Sequence, residues 1–253
     1  MKSPVSFIYG LYERQIIAGL NGNLPAHVGL MLDGNRRWAR SVGLETSAGH
    51  RAGADKIADL LSWCEEVGID LVTLWLLSTD NLRREPEQVS QLLEIIAEAV
   101  ETLAATRRWR IRVVGELDLL PAEIAERLHA AQDATAEVEG VHVTCAIGYG
   151  GRDEIAGAVR SLLKEQAKAG VSLEHLAEVI TVEHIAEHLY TRGQPDPDLV
   201  IRTSGEQRIG GFLLWQSVHS EFYFCEAYWP AFRKVDFIRA LRDYAARERR
   251  LGR

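Results

Sequence analysis

The residues best suited to chemistry lie in one stretch near the start of the chain. An apolar run of strand length ends at the carboxylate of Asp33 and continues through Gly34 and Asn35 into an arginine-rich segment, residues 36–40. This pattern predicts a strand followed at once by a helix. The first turn of that helix would offer backbone N–H groups to a phosphate, and Asp33 could hold a hard cation such as Mg²⁺. The alternative is that Asp33 only caps the helix and that the arginines form a solvated face.

The overall composition is typical of a soluble globular domain, with 26% charged and 47% apolar residues. A length of 253 residues suffices for one large α/β domain. The formal net charge of −7 argues against a nucleic-acid partner, because phosphate backbones favour basic surfaces. An anionic substrate must therefore be held by locally clustered arginines.

The cysteines and the apolar runs predict a cytoplasmic protein. Cys64, Cys145 and Cys225 are odd in number and widely spaced in apolar stretches, which is typical of buried thiols in a reducing compartment. No apolar run is long enough to cross a bilayer, so we expect at most peripheral membrane contact. Apolar residues recur at helical spacing over residues 7–20. We therefore predict a helical extension over residues 1–24, packed on the body of the protein, a single domain over residues 25–253.

Helical and strand patterns alternate along the rest of the chain. Strands are predicted at residues 28–32, 69–77, 109–115, 141–147 and 199–201, with another within 212–224. Helices are predicted at residues 50–66, 86–103, 121–138, 151–169, 182–189 and 235–249. Strands separated by helices imply right-handed crossovers, and so a single α/β domain with a mostly parallel central sheet flanked by helices.

Such a sheet gathers the polar residues that follow its strands. Asp33 ends the first strand, residues 78–81 end the second, residues 148–152 end the fourth, and residues 202–208 end a later one. Ligands of open parallel sheets bind outside the carboxyl ends of the strands, so we expect these segments to converge.

Several common anion and nucleophile sites are excluded. The chain has no phosphate loop of the nucleotide-hydrolase type, and Asp153 stands where a dinucleotide fingerprint needs its third glycine. Gly-x-Ser-x-Gly and His-Glu-x-x-His motifs are also missing. A metal-assisted phosphate or diphosphate site lined by arginine is what remains.

Five segments together resemble the cis-prenyltransferases, the family of undecaprenyl diphosphate synthase. They are residues 33–39, residues 78–81 with Arg84, residues 148–152, residues 198–206, and residues 212–216 with Glu221. The resemblance runs from about residue 25 to the C-terminus in the family's order and spacing. It implies a homodimeric α/β enzyme that uses Mg²⁺ to join isopentenyl diphosphate to an allylic diphosphate with a new cis double bond.

The resemblance also implies roles for individual residues. Asp33 matches the aspartate that places Mg²⁺ on the allylic diphosphate, and Glu221 matches a second metal ligand that reaches its site across the dimer. Asn81 matches the position proposed to assist proton removal, and residues 250–252 resemble a tail that touches isopentenyl diphosphate from the partner subunit. The implied substrate-binding residues are Gly34, Asn35, Arg36, Arg37, Trp38, His50, Ser78, Thr79, Asp80, Leu82, Arg84, Arg202, Arg208 and Gly210.

The length of the product is predicted from Leu76. Long-chain members of the family usually have a small residue there, whereas Leu resembles the short-chain members that make a Z,E-farnesyl diphosphate. We therefore expect one cis addition to geranyl diphosphate. Seven apolar residues are candidate walls of the hydrocarbon tunnel, although ordinary core is the favoured interpretation for any single one of them. They are Leu60, Leu61, Leu74, Leu76, Leu77, Leu92 and Ile95.

Three departures from the family pattern leave details open. Thr46 replaces a frequent arginine, for which Arg40 or Arg36 could compensate, and Leu82 replaces a frequent aromatic residue. Gly210 replaces a serine, which leaves Ser204 or a backbone N–H to serve the isopentenyl diphosphate.

The alternatives are a medium- or long-chain polyprenyl diphosphate synthase, a lavandulyl-type synthase and a non-catalytic partner subunit. The aromatic segment at residues 222–225, with Tyr228 and Trp229, predicts a dimer interface, although it could instead be core.

Overall fold

One six-stranded sheet forms the centre of the molecule. The computed structural model describes residues 19–20 and 23–247. The strands are β1 (His27–Met31), β2 (Leu71–Trp75), β3 (Arg110–Val114), β4 (His142–Ala146), β5 (Leu199–Arg202) and β6 (Glu221–Phe224). They lie in the order β3-β4-β2-β1-β5-β6, and every pairing among them is parallel. The predicted α/β class is confirmed, and the sheet is more uniformly parallel than expected.

Helices cover the sheet. They are α1 (Asn35–Ser41), α2 (Thr46–Val67), α3 (Pro86–Ala105), α4 (Ala122–Ala134), α5 (Gly151–Lys168), α6 (Leu173–Val179), α7 (Val182–Ala186) and α8 (Lys234–Ala246). Short 3₁₀ turns lie after β2, β3 and β6, at Thr79–Arg83, Leu117–Leu119 and Trp229–Ala231.

Sequence periodicity missed one helix and misplaced several ends. Helix α6 was not predicted, because it has only seven residues and most of them, Leu173 included, face solvent. The strand predicted from residue 69 begins at Leu71, since Gly68 adopts a left-handed conformation and the Ile69 N–H still donates to Cys64 O of α2 at 3.0 Å. The helices predicted at 121–138 and 182–189 end earlier, at Ala134 and Ala186.

The core lies on both faces of the sheet. Strands β1 and β5 are buried along their whole length, which explains why they read as continuous apolar runs. All three cysteines are buried and unpaired, as predicted. Within residues 19–20 and 23–247, no helix is both long and apolar enough to cross a membrane.

Two terminal predictions fall largely outside the described residues. Of the predicted N-terminal extension, Leu20 is buried in the core and Leu24 packs against it. The tail at residues 250–252 is not among the described residues.

Close packing of α1 against α2 positions the arginine-rich segment. Gly49 of α2 is buried, and a Cβ atom there would lie 2.4 Å from Asn35 O and 2.8 Å from the Cβ of Ala39. Only a glycine permits this approach, which brings Asn35 beside the neighbouring His50.

This contact predicts opposite effects for two glycine substitutions. We expect Gly49→Ala to push α1 away from α2 and to lower the free energy of unfolding by about 1–3 kcal/mol. Gly157→Ala is the matched control, because a Cβ in that part of α5 meets only Glu116 Oε1, at 3.9 Å. The control should raise the free energy of unfolding by about 0.5–1 kcal/mol, since alanine is the better helix former. Urea denaturation measures both, and equal effects of the two variants would contradict the packing argument.

Candidate active site

A cleft of about 660 Å³ opens at the carboxyl edge of the sheet. It collects the ends of β1, β2 and β5, as the parallel topology predicts. Its charged lining contains six arginines against three carboxylates, in a chain whose net charge is −7. The predicted site residues that line it are Asp33, Gly34, Asn35, Arg36, Arg37, His50, Leu76, Ser78, Asp80, Asn81, Arg84, Arg202, Arg208 and Gly210.

Asp33 lies where two arginines converge. Its Oδ2 accepts from Arg202 Nη2 at 2.9 Å and from Arg37 Nη2 at 3.4 Å. Burial raises the pKa of Asp33, but hydrogen bonds from Arg202 and Ser204, with the charges of Arg202 and Arg37, outweigh burial and hold that pKa below its usual value. The helix-cap alternative is wrong, because Gly34 is the N-cap of α1 and no side chain caps it.

Hydrogen bonds with the segments after β5 and β6 hold the backbone of Asp33 in place. Its N–H donates to Thr203 Oγ1 at 2.9 Å, and its carbonyl accepts from Trp229 N–H at 3.0 Å. The corner is therefore held by segments that follow two neighbouring strands, β5 and β6.

Glu206 joins the arginines of the two implied substrate positions. Its Oε1 accepts from Arg37 Nη1 at 3.0 Å, and its Oε2 accepts from Arg208 Nη1. Arg202 Nη1 also donates to the carbonyl of Arg208, while the buried Arg202 Nε has no partner in the described protein. Sequence reasoning placed Glu206 in a matching segment but assigned it no role, because its two ion pairs join residues from separate parts of the chain.

Arg36, Arg84 and His50 form a second, unneutralised group. Among the described residues, neither arginine has a carboxylate within ion-pair distance. Burial, followed by the charges of Arg84 and Arg36, lowers the pKa of His50 to about 4. Burial and the charge of Arg36 likewise lower the pKa of Arg84. Such mutual repulsion is relieved when an anion binds between the groups.

A small apolar pocket of about 40 Å³ adjoins the cleft between α2 and α3. Leu32, Asn35, His50, Leu76 and Leu92 line both cavities, so Leu76 lies at their junction. The pocket is completed by Gly53, Ala54, Ile57, Ile95, Ile96, Ala99 and Trp229.

The tunnel candidates divide into residues that line the pocket, one residue that lines only the cleft, and residues that line neither cavity. Leu76, Leu92 and Ile95 line the pocket, whereas Leu77 lines the cleft alone. Leu60, Leu61 and Leu74 are fully buried and line neither cavity, so they are ordinary core.

Four predicted site residues do not line the cleft. Trp38 is absent from its wall, Thr79 donates to Asp153 Oδ2 at 2.8 Å, and Leu82 packs against the core. Glu221 begins the edge strand β6 opposite Leu199, two strands from β1 and at the amino ends of the strands, whereas Asp33 follows their carboxyl ends. Glu221 Oε2 accepts from Arg247 Nη1 at 2.5 Å. Within one chain Glu221 therefore does not join Asp33, and its predicted metal role requires a second subunit.

The donor set suits a magnesium ion held mainly by substrate. Among the described residues there is no cluster of three His, Cys, Asp or Glu side chains that could hold a metal ion. Asp33 is 36% exposed and offers Oδ1, which has no arginine contact. Magnesium is commonly bound by one or two carboxylates together with substrate phosphates, so Asp33 fits this arrangement.

Comparison with known proteins agrees with this geometry. A family model described as "Putative undecaprenyl diphosphate synthase" matches residues 31–252. The chain belongs to the cis-prenyltransferase family. This result confirms the resemblance found in the sequence segments.

Individual cis-prenyltransferases are similar over nearly the whole chain. The (2Z,6E)-farnesyl diphosphate synthase of Thermobifida fusca is 60% identical over 247 residues, 97% of each chain. The enzyme of the same name from Mycobacterium tuberculosis is 54% identical over 255 residues, 100% of this chain and 97% of the relative. The crystal structure of lavandulyl diphosphate synthase from Lavandula x intermedia, in complex with dimethylallyl diphosphate, has a TM-score of 0.84 and 31% identity, covering 91% of this chain and 99% of that one.

His50 provides a titration test of the cationic group. Its pKa of about 4 leaves the ring neutral at pH 7 in the free protein. We expect inorganic diphosphate to raise that pKa, because the bound anion offsets the charges of Arg84 and Arg36. The bound complex would then carry the extra proton at low pH and lose it as the pH rises through the raised pKa. NMR titration of the imidazole, assigned with His50→Gln, measures the shift, and an unchanged pKa at saturating diphosphate would contradict the prediction.

Proposed function

We propose that the chain is a Mg²⁺-dependent cis-prenyltransferase that makes a short product. It would condense isopentenyl diphosphate with geranyl diphosphate to give a Z-isoprenyl diphosphate such as Z,E-farnesyl diphosphate. The observation that carries this proposal is the junction at Leu76 between an arginine-lined cleft and a pocket of only about 40 Å³. The names of relatives at 54% and 60% identity support it.

The arginines account for the ionisation of the allylic substrate. Cleavage of its carbon–oxygen bond leaves an allylic cation and a diphosphate, on which negative charge develops. Arg36, Arg37 and Arg84 line the cleft and would stabilise that charge, since a guanidinium can donate two hydrogen bonds to one phosphate and stays ionised. A magnesium ion at Asp33 would, when bound, neutralise further charge on the leaving group.

The second substrate has its own group of residues. Arg202 and Arg208 would hold isopentenyl diphosphate, whose double bond attacks the cation before a proton leaves. Asn81 lines the cleft, and its Oδ1 accepts from Ser78 N–H while Ser78 Oγ accepts from Asn81 N–H. This reciprocal pair fixes the Asn81 side chain where it could orient the reacting carbons. The apolar pocket would keep water away from the cation.

The assembly and location that we propose follow the same reasoning. A homodimer would explain why Glu221 lies far from Asp33 within one chain, on a strand at the edge of the sheet. Three buried free thiols support a cytoplasmic location, where cysteines stay reduced. The net charge supports the absence of a nucleic-acid partner.

The proposal is tested by the products. Purified protein would be incubated with Mg²⁺, labelled isopentenyl diphosphate and, in parallel, dimethylallyl, geranyl or trans,trans-farnesyl diphosphate. We expect one cis addition to geranyl diphosphate. Long products from the farnesyl primer would favour the long-chain alternative, and a branched product from dimethylallyl diphosphate would favour the lavandulyl type. A lack of turnover with every primer would favour the partner-subunit alternative.

Leu76 gives a sharper test of product length. We expect Leu76→Ala to open the junction and to lengthen the main product by at least one isoprene unit, because the side chain that separates the cleft from the pocket is shortened. Leu61→Ala is the matched control, since it removes the same atoms from a residue that lines neither cavity. The control should cost about 2–5 kcal/mol of stability without lengthening the product. Chromatography of the dephosphorylated products measures their length. An unchanged length in Leu76→Ala would mean that another residue limits elongation.

A further inference from the structure

Ser204 adopts a backbone conformation that serine rarely takes. Its φ is 81°, in the left-handed region that favours glycine. Among the described residues, two other non-glycine residues have positive φ: Arg107, exposed in the turn after α3, and Leu213, fully buried. An observed outlier of this kind is a reason to look for a function of the side chain.

The backbone itself does not require a serine. The N–H of Ser204 donates to Ala227 O at 2.8 Å, and the N–H of Gly205 donates to Cys225 O at 2.9 Å. These two bonds turn the chain after β5 towards the segment that follows β6. Glycine would make the same bonds without strain, as Gly205 does at φ 75°. The choice of serine at position 204 must therefore come from its hydroxyl group.

That hydroxyl contacts Arg37. Ser204 Oγ accepts from Arg37 Nη2 at 2.7 Å, the shortest contact of this guanidinium. Ser204 is only 7% exposed and does not line the cleft, so its hydroxyl faces Arg37 and the carboxylate of Asp33, to which it donates, rather than the substrate. The idea that Ser204 could take over the lost serine contact at Gly210 is therefore not supported by its position.

The hydrogen bond from Arg37 to Ser204 differs from the other polar contacts of Arg37, because the other partners are carboxylates and Ser204 is neutral. Two carboxylates, Asp33 and Glu206, hold it electrostatically, and the Tyr228 ring lies 5.7 Å from its guanidinium carbon. Asp33 and Glu206 carry negative charge that a bound diphosphate repels. The Ser204 hydroxyl is neutral, so a bound diphosphate would not repel it from Arg37 as it repels the two carboxylates.

We propose that Ser204 is a positioning residue that holds the Arg37 guanidinium in place for the allylic diphosphate. The inference rests on the proposed function, because it assigns Arg37 to the allylic substrate. The strained backbone is then retained for the hydrogen bond that its side chain makes.

Two substitutions separate the hydroxyl from the backbone. Ser204→Ala removes Oγ and keeps the Cβ, whereas Ser204→Gly removes Oγ and relieves the left-handed strain. We expect kcat/KM for the allylic diphosphate to fall about tenfold in both, the usual effect of losing one hydrogen bond to a charged group. KM for isopentenyl diphosphate should stay the same. The melting temperature of Ser204→Gly should equal or exceed that of the wild type.

This combination excludes a merely structural role, which would lower stability and activity together. Arg107→Gly is the control, because it relieves a positive φ of 51° far from the cleft and should leave both KM values unchanged. Unaltered kcat/KM in both Ser204 variants would overturn the inference, as would equal losses for the two substrates.

Calorimetry with inorganic diphosphate and Mg²⁺ separates this inference from the proposed function. If the wild type binds diphosphate but converts no primer, the proposed function fails. A weaker affinity in both Ser204 variants would still support the contact with Arg37, and an unchanged affinity would overturn it.

Discussion

The local excess of positive charge in the cleft is the constraint on which the rest of the structure depends. Six arginines face three carboxylates at one edge of the sheet, although the whole chain is acidic. Like charges held together cost free energy, and burial followed by the neighbouring arginine charges lowers the pKa values of His50 and Arg84 in the free protein. Parallel strands that end at one edge, together with the glycine contact between α1 and α2, keep these groups from moving apart. The fold therefore holds cationic groups close together, and a bound anion would reduce the repulsion between them.

The arginines differ in how far the protein neutralises them. Arg37, Arg202 and Arg208 already have partners in Asp33, Glu206 and the backbone, so their orientation is set before any ligand arrives. Arg36 and Arg84 lack such partners among the described residues, so they contribute more of their charge to a bound anion. Preorganised donors lose little free energy in rearrangement when charge develops on a leaving group. The paired arginines would thus orient a bound anion, and the unpaired arginines would supply most of the electrostatic attraction to it.

The sequence predicts the sheet edge better than it predicts the cavities. Apolar runs locate the strands, and parallel topology then forces Asp33, Asn81 and Arg202 to one edge. Periodicity cannot tell Leu61 from Leu92, because both lie on the buried face of a helix and only the spacing between α2 and α3 decides which one borders a gap. The bridging role of Glu206 was equally hidden, since it depends on two side chains that approach only in the folded chain. Helix α6 was missed because a short, largely exposed helix has little amphipathic signal.

A single packing feature links substrate charge to product length. Gly53 lines the apolar pocket, and a Cβ there would lie 2.2 Å from Asn35 Oδ1 and 2.9 Å from Trp229 Cδ1. The absence of that atom allows α1 to approach α2 and also leaves space for the hydrocarbon. If the arginines hold the diphosphate as proposed, the chain attached to it would run towards His50 and Leu76, which border both cavities. Under the proposed function, the distance from the arginines to Leu76 would set the length of the product, so a change that moves α1 on α2 would alter binding and product length together.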